Sequence, residues 1–211
     1  MSTSDSGRAP RLPREQRRQQ VLTAALEVFS TVGFHAASMD DIADRAGVSK
    51  PVLYQHFPGK LDLYLALLDA GIDELLVASN AALAGTSDNR LRVSAMTSAY
   101  FAFIEDPAGA FRLVFESDLA NEPAVRQRVD AADQAVARVI ARVIAEDTGL
   151  SDDQAMLLAS GLQGMTQVAA RRWLRDDSPA ISREEAADLI SGLGWRGISG
   201  FPLTHPPQDP T

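Results

Sequence analysis

The sequence predicts an all-α protein of about nine helices, and three observations carry that expectation. Apolar residues recur at spacings of 3 and 4 through most of its 211 residues, which lines one face of a helix rather than of a strand. Ser-x-x-acid or Ser-x-x-Gln patterns stand at Ser38, Ser151 and Ser182, where three of these runs begin, as capping boxes do. Asp106-Pro107, Glu122-Pro123, Thr148-Gly149 and Asp177-Ser178-Pro179 break the later runs from one another,.

Residues 1–13 are polar, Pro-containing and aperiodic, and read as a flexible arm whose Arg8 and Arg11 are placed to touch a polyanion,. From Arg14 the residues Val21, Leu22, Ala25, Val28, Phe29 and Val32 give one apolar face, a first helix that Gly33 stops,. Ser38-Met39-Asp40-Asp41 caps a short second helix with Ile42, Ala43 and Ala46 inward, ended by Gly47,. Ser49 stands at the cap of a third helix, with Pro51 in its first turn, where a missing N–H costs nothing, and Val52, Leu53 and Phe57 on its apolar side,. Pro58-Gly59 ends it. A long helix follows from Lys60 to about Ala84, with Leu61, Leu65, Leu68, Ile72, Leu75 and Leu76 on one stripe,. Further runs are expected at about 89–105, 108–119, 123–148, 151–176 and 182–199. The tail from Phe201, with Pro202, Pro206, Pro207 and Pro210, reads as extended,.

Composition narrows the chemistry. No cysteine is present, which removes disulfides, thiolate nucleophiles and thiolate metal sites. His35, His56 and His205 form no sequence-local metal cluster,, and neither a Gly-rich phosphate loop nor a nucleophile elbow occurs. The carboxylates are scattered over helix faces that read as solvated, so the expectation is a protein that is not an enzyme and carries no cofactor. No stretch reaches the roughly 18 apolar residues of a membrane span, and a cytoplasmic location is expected.

The net charge of -8 opposes a nucleic-acid partner until its distribution is read,. Residues 1–60 hold eight Lys and Arg against six Asp and Glu, and residues 61–211 hold twelve against twenty-two. A weakly basic end before an acidic body orients a molecule on DNA when that end can enter a groove.

Two short helices turning at Ala46-Gly47-Val48-Ser49, braced by a longer one, suit a helix-turn-helix head. Its third helix exposes Lys50, Tyr54, Gln55 and His56. Periodicity alone fits a small bundle with a solvated polar face equally well. The segment SMDDIADRAGVSKPVLYQHFPGKLDLYLALL, residues 38–68, however resembles the signature of TetR-type transcriptional regulators, from the turn through Leu53-Tyr54-x-His56-Phe57 to Lys60. That resemblance implies a DNA-binding domain over 14–60 and an effector-binding and dimerisation domain over 61–200. It implies phosphate contacts at Tyr54, His56 and Lys60, and candidate base contacts at Lys50, Pro51, Val52 and Gln55 near Ser49. Ser38 and Met39 approach the backbone. The partner it implies is a pseudo-palindromic duplex read by a homodimer.

Regulators of this family commonly dimerise through the last two helices. Ala155, Ala159, Gly161, Gly164 and Ala169 are small enough for a partner helix to approach, and Leu189, Ile190, Leu193 and Trp195 add apolar bulk; either a partner or simple relief of crowding within one subunit explains the glycines. Met96, Tyr100, Phe101, Phe103, Phe111, Phe115, Met156, Leu162 and Met165 are candidates to line an effector cavity, although helix periodicity alone does not separate a cavity wall from solid core. Finally RLPREQRRQ, FRLVFESDLANEPAV, GLQGM and GWRGISGFPLT resemble the actinobacterial TetR-type regulators of the fatty-acid synthase operon. This implies a long-chain acyl-CoA effector and control of lipid synthesis, with Arg112, Arg171, Arg172 or Arg175 available for the CoA phosphates. The alternative is a drug- or metabolite-responsive repressor of an efflux or catabolic operon.

Overall fold

The computed structural model describes residues 13–106, 119, 121–175 and 180–197. Eight helices and no strand form among them: α1 Arg14–Ala36, α2 Met39–Ala46, α3 Lys50–His56, α4 Lys60–Ala84, α5 Asn89–Glu105, α6 Pro123–Thr148, α7 Asp152–Leu174 and α8 Arg183–Arg196. The all-α expectation holds. The run expected at 108–119 lies outside the described residues apart from Leu119, as do the arm before Pro13 and the tail from Phe201. No helix among the described residues is long and apolar enough to cross a membrane.

The chain divides into two compact units, Met1–Leu67 and Leu68–Thr211. The division falls inside α4, beyond the Lys60 boundary that the motif suggested. In the first unit Val21, Leu22, Ala25 and Phe29 of α1 are buried as their spacing requires, with Ile42, Ala43 and Ala46 of α2 and Leu53 and Phe57 around α3. Val32 departs from its expected inward place and is exposed; it precedes Gly33, whose φ of 77° takes the backbone out of the helix.

The expected stripe on α4 holds at Leu68, which is fully buried, and departs at its first residues. Leu63 and Tyr64 are fully buried and Leu67 nearly so, while Leu61 and Leu65 are half-buried. Tyr64 places its ring 5.8 Å from that of Phe29 and 5.3 Å from that of Phe34, edge-on to both. Burying an aromatic ring in this geometry outweighs burying Leu61 or Leu65.

Local signals in the sequence act as expected at the caps. Ser38 Oγ accepts from the Asp41 amide at 3.1 Å, and the Ser38 amide donates back to the Asp41 carboxylate at 3.1 Å. Ser151 and Gln154 make the same reciprocal pair at α7. Ser182 accepts from the Glu185 amide at α8, and Asp88, which the sequence reading did not single out, caps α5 through the amides of Arg90 and Leu91.

In the second unit α6 and α7 pack through Ala141, Ala155 and Ala159, with Ile140, Ile144 and Met156 around them. Tyr100, Phe101 and Ile104 of α5 pack with Ala170 of α7 and with Ala186 and Ala187 of α8. Trp173 closes that cluster and donates its indole N–H to the Ile181 carbonyl at 3.1 Å. At Gly194 a Cβ would lie 3.1 Å from Met165 Cε and 3.4 Å from Leu162 Cδ2, so α8 packs closely on the α7 side chains there.

Candidate functional site

The first unit builds its exposed face around the α2–α3 turn. Gly47 has φ 63°, and the amides of Gly47 and Val48 donate to the Asp44 and Ala43 carbonyls at 3.1 and 3.0 Å. This left-handed closure, which glycine adopts without a Cβ penalty, redirects the chain into α3. From the other side, Gln20 donates to the Ala46 carbonyl at 2.7 Å and accepts from Arg17 at 2.9 Å. A guanidinium is thereby held beside the turn.

Arg14, Arg17, Ser49, Val52, Gln55 and His56 border one shallow depression with Gly47 and Val48. The family resemblance implies DNA contacts at Ser49, Val52, Gln55 and His56, while Arg14 and Arg17 join this face without being singled out by the motif. The basic run from Arg14 to Arg18 was the available signal. Tyr54 is 48% exposed, and Pro51 and Gln55 are exposed too. Ser49 makes no side-chain cap bond. Lys50 and Asp40 form an exposed ion pair at 2.6 Å, and this hydrogen bond and the Asp40 charge raise the lysine pKa above its ordinary value. Ser38 is committed to its cap and Met39 begins α2, half-exposed.

Lys60 has a task inside the protein that the motif did not announce. Its ammonium donates to the carbonyls of Phe34 and Ala37, each at 2.7 Å, and of His35 at 3.3 Å. These carbonyls end α1, where the helix leaves acceptors unsatisfied. A lysine has three N–H donors, so the group expected on a phosphate is already occupied.

The second unit contains a partly open apolar pocket of about 170 Å³ between α4, α5, α6 and α7. Leu75, Ser79 and Leu83 come from α4, Met96, Thr97 and Tyr100 from α5, Val136, Ile140 and Ile144 from α6, and Leu162, Gln163 and Met165 from α7. Four expected residues, Met96, Tyr100, Leu162 and Met165, thus line it. Phe101 does not: it is fully buried with its ring 5.7 Å from that of Trp173. Phe103 packs against the same cluster, and Met156 packs behind the Ala155–Ala159 contact. Phe111, Phe115 and Arg112 lie outside the described residues. Among the described residues the cation on the wall is Arg92, which the sequence pattern does not announce. It bonds the Leu83 and Thr86 carbonyls, Asn89 and, at 3.3 Å, Asp147. Burial raises the Tyr100 phenol pKa well above its ordinary value, with Arg171 opposing and Asp133 adding to the shift.

The outer face of α7 is apolar. Leu157, Gly161, Gly164 and Val168 follow one another at helical spacing; Leu157 is 74% and Val168 63% exposed, and a Cβ added at either glycine meets no atom within 4 Å. Leu189 and Trp195 of α8 are also exposed, while Leu193 is half-buried. Ala159, expected on this face, is instead fully buried against α6. Its small size serves packing within the subunit.

Comparison with known proteins follows this division. Residues 21–67 match the family model described as bacterial regulatory proteins, tetR family. Over 198 residues, 94% of this chain and 90% of the other, the sequence is 46% identical to the HTH-type transcriptional activator FasR of Mycolicibacterium smegmatis. A TetR-like transcriptional regulator from Rhodococcus sp. RHA1 superposes with a TM-score of 0.68 at 29% identity, covering 90% of this chain and 100% of that one. The fold is also that of the transcriptional regulator FadR from Bacillus subtilis, solved in complex with stearoyl-CoA, with a TM-score of 0.72 at 18% identity over 85% of this chain and 98% of the other.

Proposed function

This chain belongs to the TetR family of bacterial regulatory proteins, and we propose that it is a homodimeric regulator of fatty-acid or lipid synthesis whose operator affinity is set by a long-chain acyl-CoA. The observation that carries the reading is the apolar cavity of the second unit, walled on one side by Leu75, Ser79 and Leu83. Those residues belong to the helix that begins at Lys60, so an effector that displaces this wall acts on a helix the DNA-binding unit shares. A ligand alters affinity at a second site only through such a differential interaction.

The head supplies the DNA-binding part of the reading. On α3, exposed Gln55 and half-buried Val52 border the depression for base edges, Tyr54 and His56 stand beside them for phosphates, and Arg14 and Arg17 add positive charge. One seven-residue helix reads few base pairs, so a two-fold dimer that presents two of them to a pseudo-palindrome supplies specificity. The exposed stripe on α7, with Leu189 and Trp195 of α8, is the dimer surface in this reading. The relative with 46% identity is named a transcriptional activator, FasR, which supports control of transcription, and FadR from Bacillus subtilis, a protein of the same fold, was solved with stearoyl-CoA, which supports a lipid effector here.

The test is an anisotropy titration of purified protein on duplex containing its operator, with acyl-CoAs of four to twenty carbons. A response confined to long chains supports the reading. An identical response to all lengths, or none, rejects the lipid effector and leaves DNA binding to be judged by the duplex titration alone.

A further inference from the structure

Along α6 the cavity wall runs between two polar ends. Arg92 and Asp147 pair at one; at the other, Asp133 accepts from Gln163 Nε2 at 2.9 Å and from Gln167 Nε2 at 2.7 Å, both on Oδ1. Fourteen residues of α6 separate the two aspartates, about 21 Å at 1.5 Å per residue. Between them Val136, Ile140, Val143 and Ile144 offer no polar group. The end at Asp133 carries a mismatch. A carboxylate only accepts, so its contact fixes the Gln163 amide with the NH₂ toward Asp133 and the oxygen turned away. That oxygen is buried and has no hydrogen-bond partner among the described residues, although the residue lines the cavity.

A buried carbonyl oxygen without a donor is costly, so an ordered water or a ligand is what would supply one. We propose that Gln163 Oε1 is the polar anchor of the effector site and accepts a hydrogen bond from an N–H or O–H group carried on an otherwise apolar ligand. The proposal rests on the cavity being the effector site. The amide turns an acceptor toward the cavity, so the group it takes is an N–H or O–H and not a carboxylate or phosphate oxygen. The donor has two sources within this chemistry: a secondary amide, such as the pantetheine arm of CoA carries, or a hydroxyl on the chain.

Matched probes separate these. Calorimetric titration of the full-length protein with N-methyldecanamide and N,N-dimethyldecanamide compares an amide with and without its N–H, and decan-1-ol against methyl decyl ether does the same for a hydroxyl. The expected result is about tenfold tighter binding of the donor in at least one pair, and the pair with the larger preference names the source. Gln163→Met, close in shape but without an acceptor amide, abolishes the preference while still binding the donor-free probe; a thermal melt checks its folding. No preference in either wild-type pair overturns the anchor, as does a preference that survives in a folded Gln163→Met protein. Palmitoyl-CoA, titrated in parallel, tells the failures apart. If it binds and no decyl probe does, the anchor alone falls; if nothing binds, the effector cavity falls with it.

Discussion

Lys60 donates to the Phe34 carbonyl at 2.7 Å while its ammonium sits 4.5 Å from the centroid of the same residue's ring. One side chain thus ties the start of α4 to the end of α1 by a charge-assisted hydrogen bond and a cation–π contact. Lys60→Ala is expected to lower stability by about 1–2 kcal/mol, since the α1 carbonyls lose a charged donor and the site is only half-buried. The salt dependence of DNA binding, which a phosphate contact would reduce by about one unit of slope, stays near its original value. A thermal melt without DNA and a salt titration with DNA check both halves; an unchanged melt with a reduced slope returns Lys60 to the phosphates.

Lys50 poses the opposite case. Its partner Asp40 is a solvated carboxylate in the first turn of α2, and an exposed pair of this kind contributes little to stability. Asp40→Asn therefore leaves the melt almost unmoved. It frees the Lys50 charge and removes a like charge from the phosphates, so affinity for unrelated duplex rises and its salt slope steepens by about one unit. Competition binding at two salt concentrations reads this directly.

At Gly47 a Cβ has open space around it, yet φ is 63°. The cost of Gly47→Ala is consequently backbone strain alone, about 1 kcal/mol, and Gly47→Asn costs less because asparagine tolerates the left-handed region. Urea denaturation should rank glycine, asparagine and alanine in that order. A crowded site would instead penalise asparagine most.

The dimer surface gives a paired test. Leu157→Lys with Val168→Lys places charges on the exposed stripe and is expected to leave folded monomers in sedimentation, with operator binding lost. Ala159→Leu enlarges a fully buried residue between α6 and α7, and overpacking of this kind costs about 1–3 kcal/mol. That variant loses stability before it loses dimers. Retention of the dimer by the double lysine variant would move the interface elsewhere.

These contrasts show where the sequence was legible. Caps at Ser38 and Ser151, the turn at Gly47 and the helix boundaries follow from interactions within a few residues, and such interactions are written in local order. Lys60 and Arg92 were opaque because, Asn89 apart, their acceptors arrive from another helix or loop. Periodicity places Phe101 and Met165 alike on an inward face; only the packing of four helices decides that Met165 borders a void and Phe101 does not. Ala159 and Gly161 are small neighbours on one helix, and their two-residue offset turns one inward and the other out.

The cavity itself sets the last expectation. A space of about 150 Å³ lined by apolar side chains admits one benzene, so 170 Å³ does not hold a long acyl chain without parting its walls. Each methylene buried contributes about 0.8 kcal/mol, so eight added carbons supply at most roughly 6 kcal/mol toward that displacement, before ordering costs. Short chains fit with little movement and have little to offer the α4 wall; long ones must move it. Palmitoyl-CoA is therefore expected to change the operator dissociation constant by about tenfold, within the usual range of coupling between sites, and butyryl-CoA to leave it unchanged. Met96→Trp fills part of the space from α5 and should weaken the palmitoyl response while keeping operator affinity in the absence of ligand. An equal response of the Met96→Trp protein and the unaltered one would mean that the chain binds outside this cavity.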